Sequence, residues 1–383
     1  GGDNTGMGTN ALLLNTTGSS NTTFGADSLD SNTTGASNTS VGASAMAANT
    51  TGAFNSSLGF KSLVANTTGQ KNTAVGTCSM CKNTTGDQNV AMGFQALCAN
   101  TTADDNAAIG YLALCSNTTG TRNVAVGNYA LKSNTTANEN IAIGFDSLSI
   151  GTTGTENVAI GFEAGRNTTA SYNTTVGHCS LRINSSGEMN TALGSEASKC
   201  NSSGSSNVAI GRQALCANTT ASNNTAVGML ASRKNTTGAQ NTTVGAGASA
   251  CNTTGLNNTA MGQAALETNT TGSCNVAIGR KAMEANTTGG ENTMIGLAAG
   301  ASITTGGTSV GVGRCVLENL TTGNNNIAMG NGSGADAVGN FTNQSNKIAI
   351  GNNAHDEALI KIDWTVTSDL RDKTEIADVP YGL

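Results

Sequence analysis

The residues of this 383-residue chain that could do chemistry are ten cysteines, two histidines and a recurring Asn–Thr–Thr. Cys81, Cys98 and Cys115 follow one another at intervals of 17, and Cys78 with Cys81 spells a single Cys–x–x–Cys. A tetrahedral zinc site needs a second such pair or neighbouring imidazoles. The only histidines are His178 and His355. The thiols are therefore expected to fill small surface-facing slots, with no metal and no cofactor. If equivalent residues stack at strand spacing, their Cα atoms come within disulfide range. Three in a row cannot all pair with one another, so cysteine usage leaves the redox compartment open.

Asn–Thr–Thr or Asn–Ser–Ser begins at Asn15, Asn32, Asn49, Asn66, Asn83, Asn100, Asn117, Asn134, Asn167, Asn184, Asn201, Asn218, Asn235, Asn252, Asn269 and Asn286. Each has the spelling of an N-glycosylation acceptor. The same residues also make turns and hydrogen-bonded ladders. In a phage product the ladder reading holds, whereas in a secreted filament a glycan on every repeat would sheath it. Threonine rows also raise ice binding, but adjacent threonines in a strand point to opposite sides. Glycoside hydrolysis needs two carboxylates across a cleft. Here the acids are isolated, and the aromatics (Phe94, Tyr111, Phe145, Tyr172) read as scattered. The glycine-rich segments recur as repeat corners, which argues against phosphate loops. The chain is not expected to be an enzyme.

The elements that carry these residues are set by one unit, such as Asn275–Glu291. Glycines closing an Asn–x–x–apolar–Gly motif run from Gly8 to Gly161 and from Gly177 to Gly330 at a spacing of 17, with one step of 16 between the two series and one of 21 to Gly351. This gives about 21 coils. With the leading Asn as position one, position four is always apolar, position eight small, position nine usually Leu or Met, and positions twelve to fifteen Asn–Thr–Thr–Gly. Charges between Gly8 and Gly330 fall only at positions six, seven, ten, eleven, sixteen and seventeen. The constant residues are expected to face inward or stack, Ile278 and Met283 among them, with Arg280, Lys281, Glu284 and Glu291 in water. The Asn–Val–Ala–Ile–Gly stretch has a strand's alternation and β-branched content. Glycine at positions five and fifteen suits corners with positive φ or close backbone approach. So short a period makes each coil depend on its neighbours, the signature of a solenoid.

Fifty glycines, one proline, 3% aromatic and 11% charged residues do not describe a conventional core. One aliphatic residue, one Leu and small alanines per coil make a thin interior, so burial against further copies is expected. A homotrimer with the aliphatic ladders on its axis would supply it. The basic residues are scattered singly within a net charge of −6, which excludes a nucleic-acid surface. No apolar run is long enough to insert in a membrane. The start at Gly1, without methionine, reads as a processed or truncated end.

The unit Asn157–Ala164, repeated at Asn207–Ala214, resembles the head repeats of trimeric autotransporter adhesins. That resemblance implies left-handed coils in a trimer, where the usual crossover rule would give the other hand. Asn–Thr–Thr–Gly arrays of this kind also resemble fibre proteins of phages and large viruses. Ser368–Ile376 resembles the start of the intramolecular chaperone that follows β-structured shafts in endosialidase-type tailspikes. By that resemblance Ser368 and Lys373 are the autocleavage pair, the only catalytic residues singled out. The match covers about sixteen residues before the chain stops at Leu383, so no cleavage is expected of this chain.

The expected protein is all-β: a parallel β-solenoid, or β-roll, of about 21 coils, left-handed and homotrimeric. Residues 1–330 form the shaft, 331–357 an irregular insertion and last coil, 358–367 a terminal strand, and 368–383 the truncated chaperone start. The expected role is a virion tail-fibre shaft mediating host or surface attachment, on the virion or outside the cell. Its partners are further copies of itself and a host receptor or glycan. The alternatives are the head of a cell-surface trimeric adhesin, or an ice- or glycan-binding solenoid.

Overall fold

The computed structural model describes residues 2–336 and 339–354. It is all-β, with 21 three-residue strands from β1 (Thr5–Met7) to β21 (Ile348–Ile350). Each strand pairs in parallel with the next in chain order, so one sheet runs the length of a solenoid. Pairing is in register at 17 residues, as in Thr259↔Val276 and Ala260↔Ala277. At the one-residue deletion Val158 pairs with Thr174, and across the insertion Ile327 pairs with Ile348. The deletion and insertion fall in turns, because a slip within a strand would turn its side chains to the wrong face.

Three residues suffice for a strand because nearly every backbone group finds a partner in the adjacent coil. The rest of each coil is a series of tight turns. In most coils three non-glycine residues lie in the left-handed region, as Lys281, Met283 and Glu291 show with φ of 61°, 52° and 60°. This conformation costs energy for an L-residue. It is offset here because it turns successive amides alternately up and down the axis. Lys281 N–H donates to Gln263 O in the coil before (2.9 Å), and Met283 N–H donates to Ala299 O in the coil after (2.9 Å). Stacking therefore satisfies turn backbone as fully as strand backbone.

The interior differs from expectation at one column. Met283 is buried as expected, but Ile278 is half-exposed, and the buried member of its strand is Ala277. The same holds along the rod: strand centres are buried, while the aliphatic residues before and after them sit on the outer face. The coil is too thin to take both an aliphatic strand residue and the Leu/Met column opposite, so alanine fills the gap. The core is thus the position-nine column, including Leu63, Met80, Leu97, Leu114 and Leu131, against the alanines of positions three and eight.

Where this volume rule is broken, a neighbour compensates. Met294 takes the place of an alanine and is fully buried. Gly300 replaces the Leu of that coil, and Gly311 replaces the alanine of the next. A Cβ on Gly311 would lie 2.7 Å from Met294 Sδ, and one on Gly300 3.0 Å from Met294 Cγ. Interiors at crystal-like density leave no slack for either methyl group.

The position-five glycines have φ near +135° at Gly279 and its equivalents. The position-fifteen glycines answer to the other reason expected, close approach. A Cβ on Gly69 would lie 2.6 Å from Gly86 O.

Candidate functional site

The side chains that recur most strictly build two buried polar columns. In the position-one column, Asn89 N–H donates to Asn72 Oδ1 (2.9 Å), and Asn89 Nδ2 donates to Ala103 O (2.8 Å). In the position-twelve column, Asn117 Nδ2 donates to Asn100 Oδ1 (3.2 Å) and to Gly120 O (2.8 Å), while Asn134 Nδ2 donates to Asn117 Oδ1 (2.9 Å). Buried amides are tolerated only when satisfied in this way.

The position-twelve column consists of the sequon asparagines. Asn32, Asn49, Asn66, Asn83, Asn100, Asn117 and Asn134 are fully or almost fully buried, as are Asn184 through Asn286. Asn15, in the first coil, is half-buried, as is Asn167, which in the shortened coil stands at position eleven while Thr168 fills the column. Along the column Nδ2, the atom that would carry a glycan, already spends both protons at every sequon asparagine but Asn15, Asn167 and Asn184, as Asn66 does on Asn49 Oδ1 (2.8 Å) and Gly69 O (3.0 Å). A glycan there would break the ladder and needs space the ladder does not leave. The geometry is that of a structural column and speaks against a glycan sheath on the folded rod.

The threonines divide by depth. The first of each pair is half-buried, and its hydroxyl donates to the equivalent carbonyl of the next coil, as Thr67 Oγ1 does to Thr84 O (3.0 Å). The second is exposed, for example Thr288. A single outward row results, where an ice-binding face wants two.

Two surface features were not anticipated. The apolar residues of position four, expected inside, form a ladder along the outer face of the sheet. Met92, Ile109, Ile143, Ile160 and Ile210 are all exposed, and Val126 and Val227 half-exposed. Of the aromatics read as scattered, Phe94, Tyr111 and Phe145 are not, while Tyr172 stands outside the column they form. Phe94, Tyr111, Tyr129, Phe145, Phe162 and His178 form a continuous surface stack with centroids 5.3–5.8 Å apart. Five of the six share position six, a signal present in the spacing. Tyr129 stands one residue later and meets its neighbours edge-on at 88° and 89°. Edge-to-face and offset stacking are both favourable ring geometries.

Among the described residues no group of three or more His, Cys, Asp or Glu gathers to hold a metal ion. A hollow of about 250 Å³ beside the last coil is lined, among the described residues, by Gly334, Phe341, Ile348 and Ile350, with the Asp336 carboxylate beside them. Acidic and basic side chains pair along the outside instead, as Arg166 with Asp146 (3.2 Å) and Arg182 with Glu163 (2.6 Å). Ser368 and Lys373 lie outside the described residues, as do the terminal strand and the chaperone start. Compared with known protein families, with curated proteins and with solved structures, the chain finds no match in any of the three.

Proposed function

We propose that this chain is the shaft of a structural fibre: a homotrimer whose subunits bury the outward aliphatic ladder against one another. In this reading it serves a virion as a tail fibre and holds a host-attachment function at a distance. The observation that carries the reading is the ladder itself. It is apolar on every rung from Met7 to Ile350, yet it lies on the outer face of the sheet. A contiguous apolar strip of this length marks an interface. Only a partner with the same rung spacing can cover it rung by rung, and a second copy of the chain has that spacing by construction. The count of three rests on the resemblance of Asn157–Ala164 to trimeric adhesin heads, and the virion setting on the likeness of Ser368–Ile376 to a fibre chaperone. A rod is also suited to reach: at strand spacing its coils extend on the order of 100 Å.

Light scattering on the purified protein is expected to give three times the 38.0 kDa chain mass. Replacing two ladder residues, Ile143→Asp with Ile160→Asp, is expected to dissociate it. A stable monomer of the unaltered chain would overturn the proposal.

A further inference from the structure

Three successive rungs carry a cysteine at position ten, and two of those thiols touch. Cys81 Sγ and Cys98 Sγ lie 3.1 Å apart on consecutive coils, both partly exposed. Cys115, on the next rung, turns away: its Sγ faces Ser116 Oγ at 3.8 Å and Lys132 O at 3.6 Å. The structure thus selects one pair from the three that spacing left open.

We infer that Cys81 and Cys98 are a disulfide-forming pair that staples two adjacent coils when the rod meets a low-molecular-weight disulfide. Three observations carry this. Parallel strands lie about 4.8 Å apart, inside the window of about 4.4–6.8 Å between Cα atoms that a disulfide spans. The backbone at this point is held by the coil stack, since Lys82 N–H donates to Cys98 O (3.1 Å), so closing the bond requires only side-chain rotation. The two thiols are also accessible to a small oxidant.

The reaction balances as thiol–disulfide exchange. The Cys81 thiolate attacks one sulfur of the oxidant RSSR, forming a Cys81–S–SR bond and releasing RS⁻. Cys98 then loses its proton to solvent or RS⁻ and attacks Cys81 Sγ. The Cys81–Cys98 bond forms and the second RS⁻ leaves. Two protein thiols are oxidised, and one RSSR is reduced to two RSH.

Cys81 is suited to attack first. The hydrogen bond from Cys98 lowers its pKa to about 6, against the opposing effect of burial, and the Lys82 ammonium adds to the lowering. Cys98 is shifted up by the same contact and by burial. The other thiol near Cys81 is Cys78, itself raised by burial. The thiolate is the nucleophile in such exchange, so the first step is expected to quicken as pH rises through about 6 and then level off.

The test treats the full-length protein with oxidised glutathione, followed by alkylation and peptide mass mapping. The expected product is one linked peptide pair containing Cys81 and Cys98, lighter by two hydrogens, while the exposed, unpartnered Cys274 carries a glutathione adduct. In Cys98→Ser, Cys81 is expected to stop at the mixed disulfide; in Cys115→Ser, the linked pair is expected to persist. The inference is overturned if Cys81 and Cys98 each carry a separate adduct, if they alkylate freely while Cys274 reacts, or if Cys98 links to Cys115 instead.

Discussion

Two regions of the rod fill the same slot with opposite chemistry. From Asn66 to Asn134 position twelve is an unbroken column of amides, each hydrogen-bonded to the next. From the coil after Asn286 the slot holds Ile303, then Leu320 and Phe341, all buried. The backbone repeats in both regions, so the coil does not need asparagine as such. What it needs is agreement between neighbours. An amide is satisfied by another amide above it, and an aliphatic residue by another aliphatic residue. The penalty falls at the boundary, where Asn286 Oδ1 is buried without a partner because Ile303 has no proton to give. The shortened coil shows the same effect. There the column is interrupted by Gly151 and Thr168, and the buried Asn167 Oδ1 and Thr168 Oγ1 have no partner. Leaving a buried polar group unpaired costs about 1–3 kcal/mol, so a rod of this design is expected to keep its boundaries few.

The strongest challenge to the comparison is a change at the corner both regions share. A Cβ on Gly127 would lie 2.6 Å from Gly144 O, at a φ of +126°. In the apolar region a Cβ on Gly313 would meet Gly330 O in the same way. Gly127→Ala and Gly313→Ala are each expected to cost about 4 kcal/mol, combining backbone strain with overpacking. Guanidinium unfolding should show similar losses for the two, since this corner does not involve the position-twelve slot.

Asn117→Leu separates the regions. It removes the donor to Asn100 Oδ1 and to Gly120 O, and the acceptor for Asn134 Nδ2. Gly120 O keeps the bond from Asn106 Nδ2 (2.9 Å). Asn100 Oδ1 is stranded and Asn134 Nδ2 keeps only its bond to Ala137 O (3.0 Å), for an expected loss of about 3 kcal/mol. Hydrogen exchange should be faster chiefly in the adjacent coils, because stability in a solenoid is carried by nearest neighbours. An unfolding midpoint close to that of the unaltered chain would mean that the column does not stabilise the rod.

The smallest effect is expected where the boundary merely moves. Asn286→Leu removes the orphaned Oδ1 and orphans Asn269 Oδ1 in its place. Gly289 O keeps the bond from Asn275 Nδ2 (2.8 Å), just as Gly306 O keeps that from Asn292 Nδ2 (2.8 Å). The number of stranded groups is unchanged, so the midpoint should shift by less than about 1 kcal/mol. The same substitution type thus gives a large loss at Asn117 and a small one at Asn286, and equal losses at the two sites would break the comparison.

Much of this architecture was legible in the chain. The spacing of Gly8 to Gly330 determined the coil length, and Asn–Val–Ala–Ile–Gly determined where the strand falls. The charge positions marked the wet surface, and Leu/Met at position nine marked the core. All of these are periodic signals, and a solenoid turns period directly into stacking. The aromatic stack was also present in the spacing of Phe94, Tyr111, Phe145 and Phe162, but became visible only when stacking placed Tyr129 beside Tyr111. The sequon asparagines have the same spelling whether they accept a glycan or a ladder bond. In the folded rod most of them spend both Nδ2 protons on ladder bonds, as Asn66 does.

What the tertiary structure alone decided is which side of each strand is inside. Alternation separates Ala277 from Val276 and Ile278, but it assigns neither side to the core, and hydrophobicity favours the larger residues. The coil's cross-section reverses that preference. With Met283 and its equivalents already filling the interior, only a small residue, mostly alanine and in places serine or threonine, fits beneath the strand, and the aliphatic ladder is left on the outer face. The sequence determined the repeat because repetition is local. Facing is set by the volume that several turns enclose together, and no single unit carries that information.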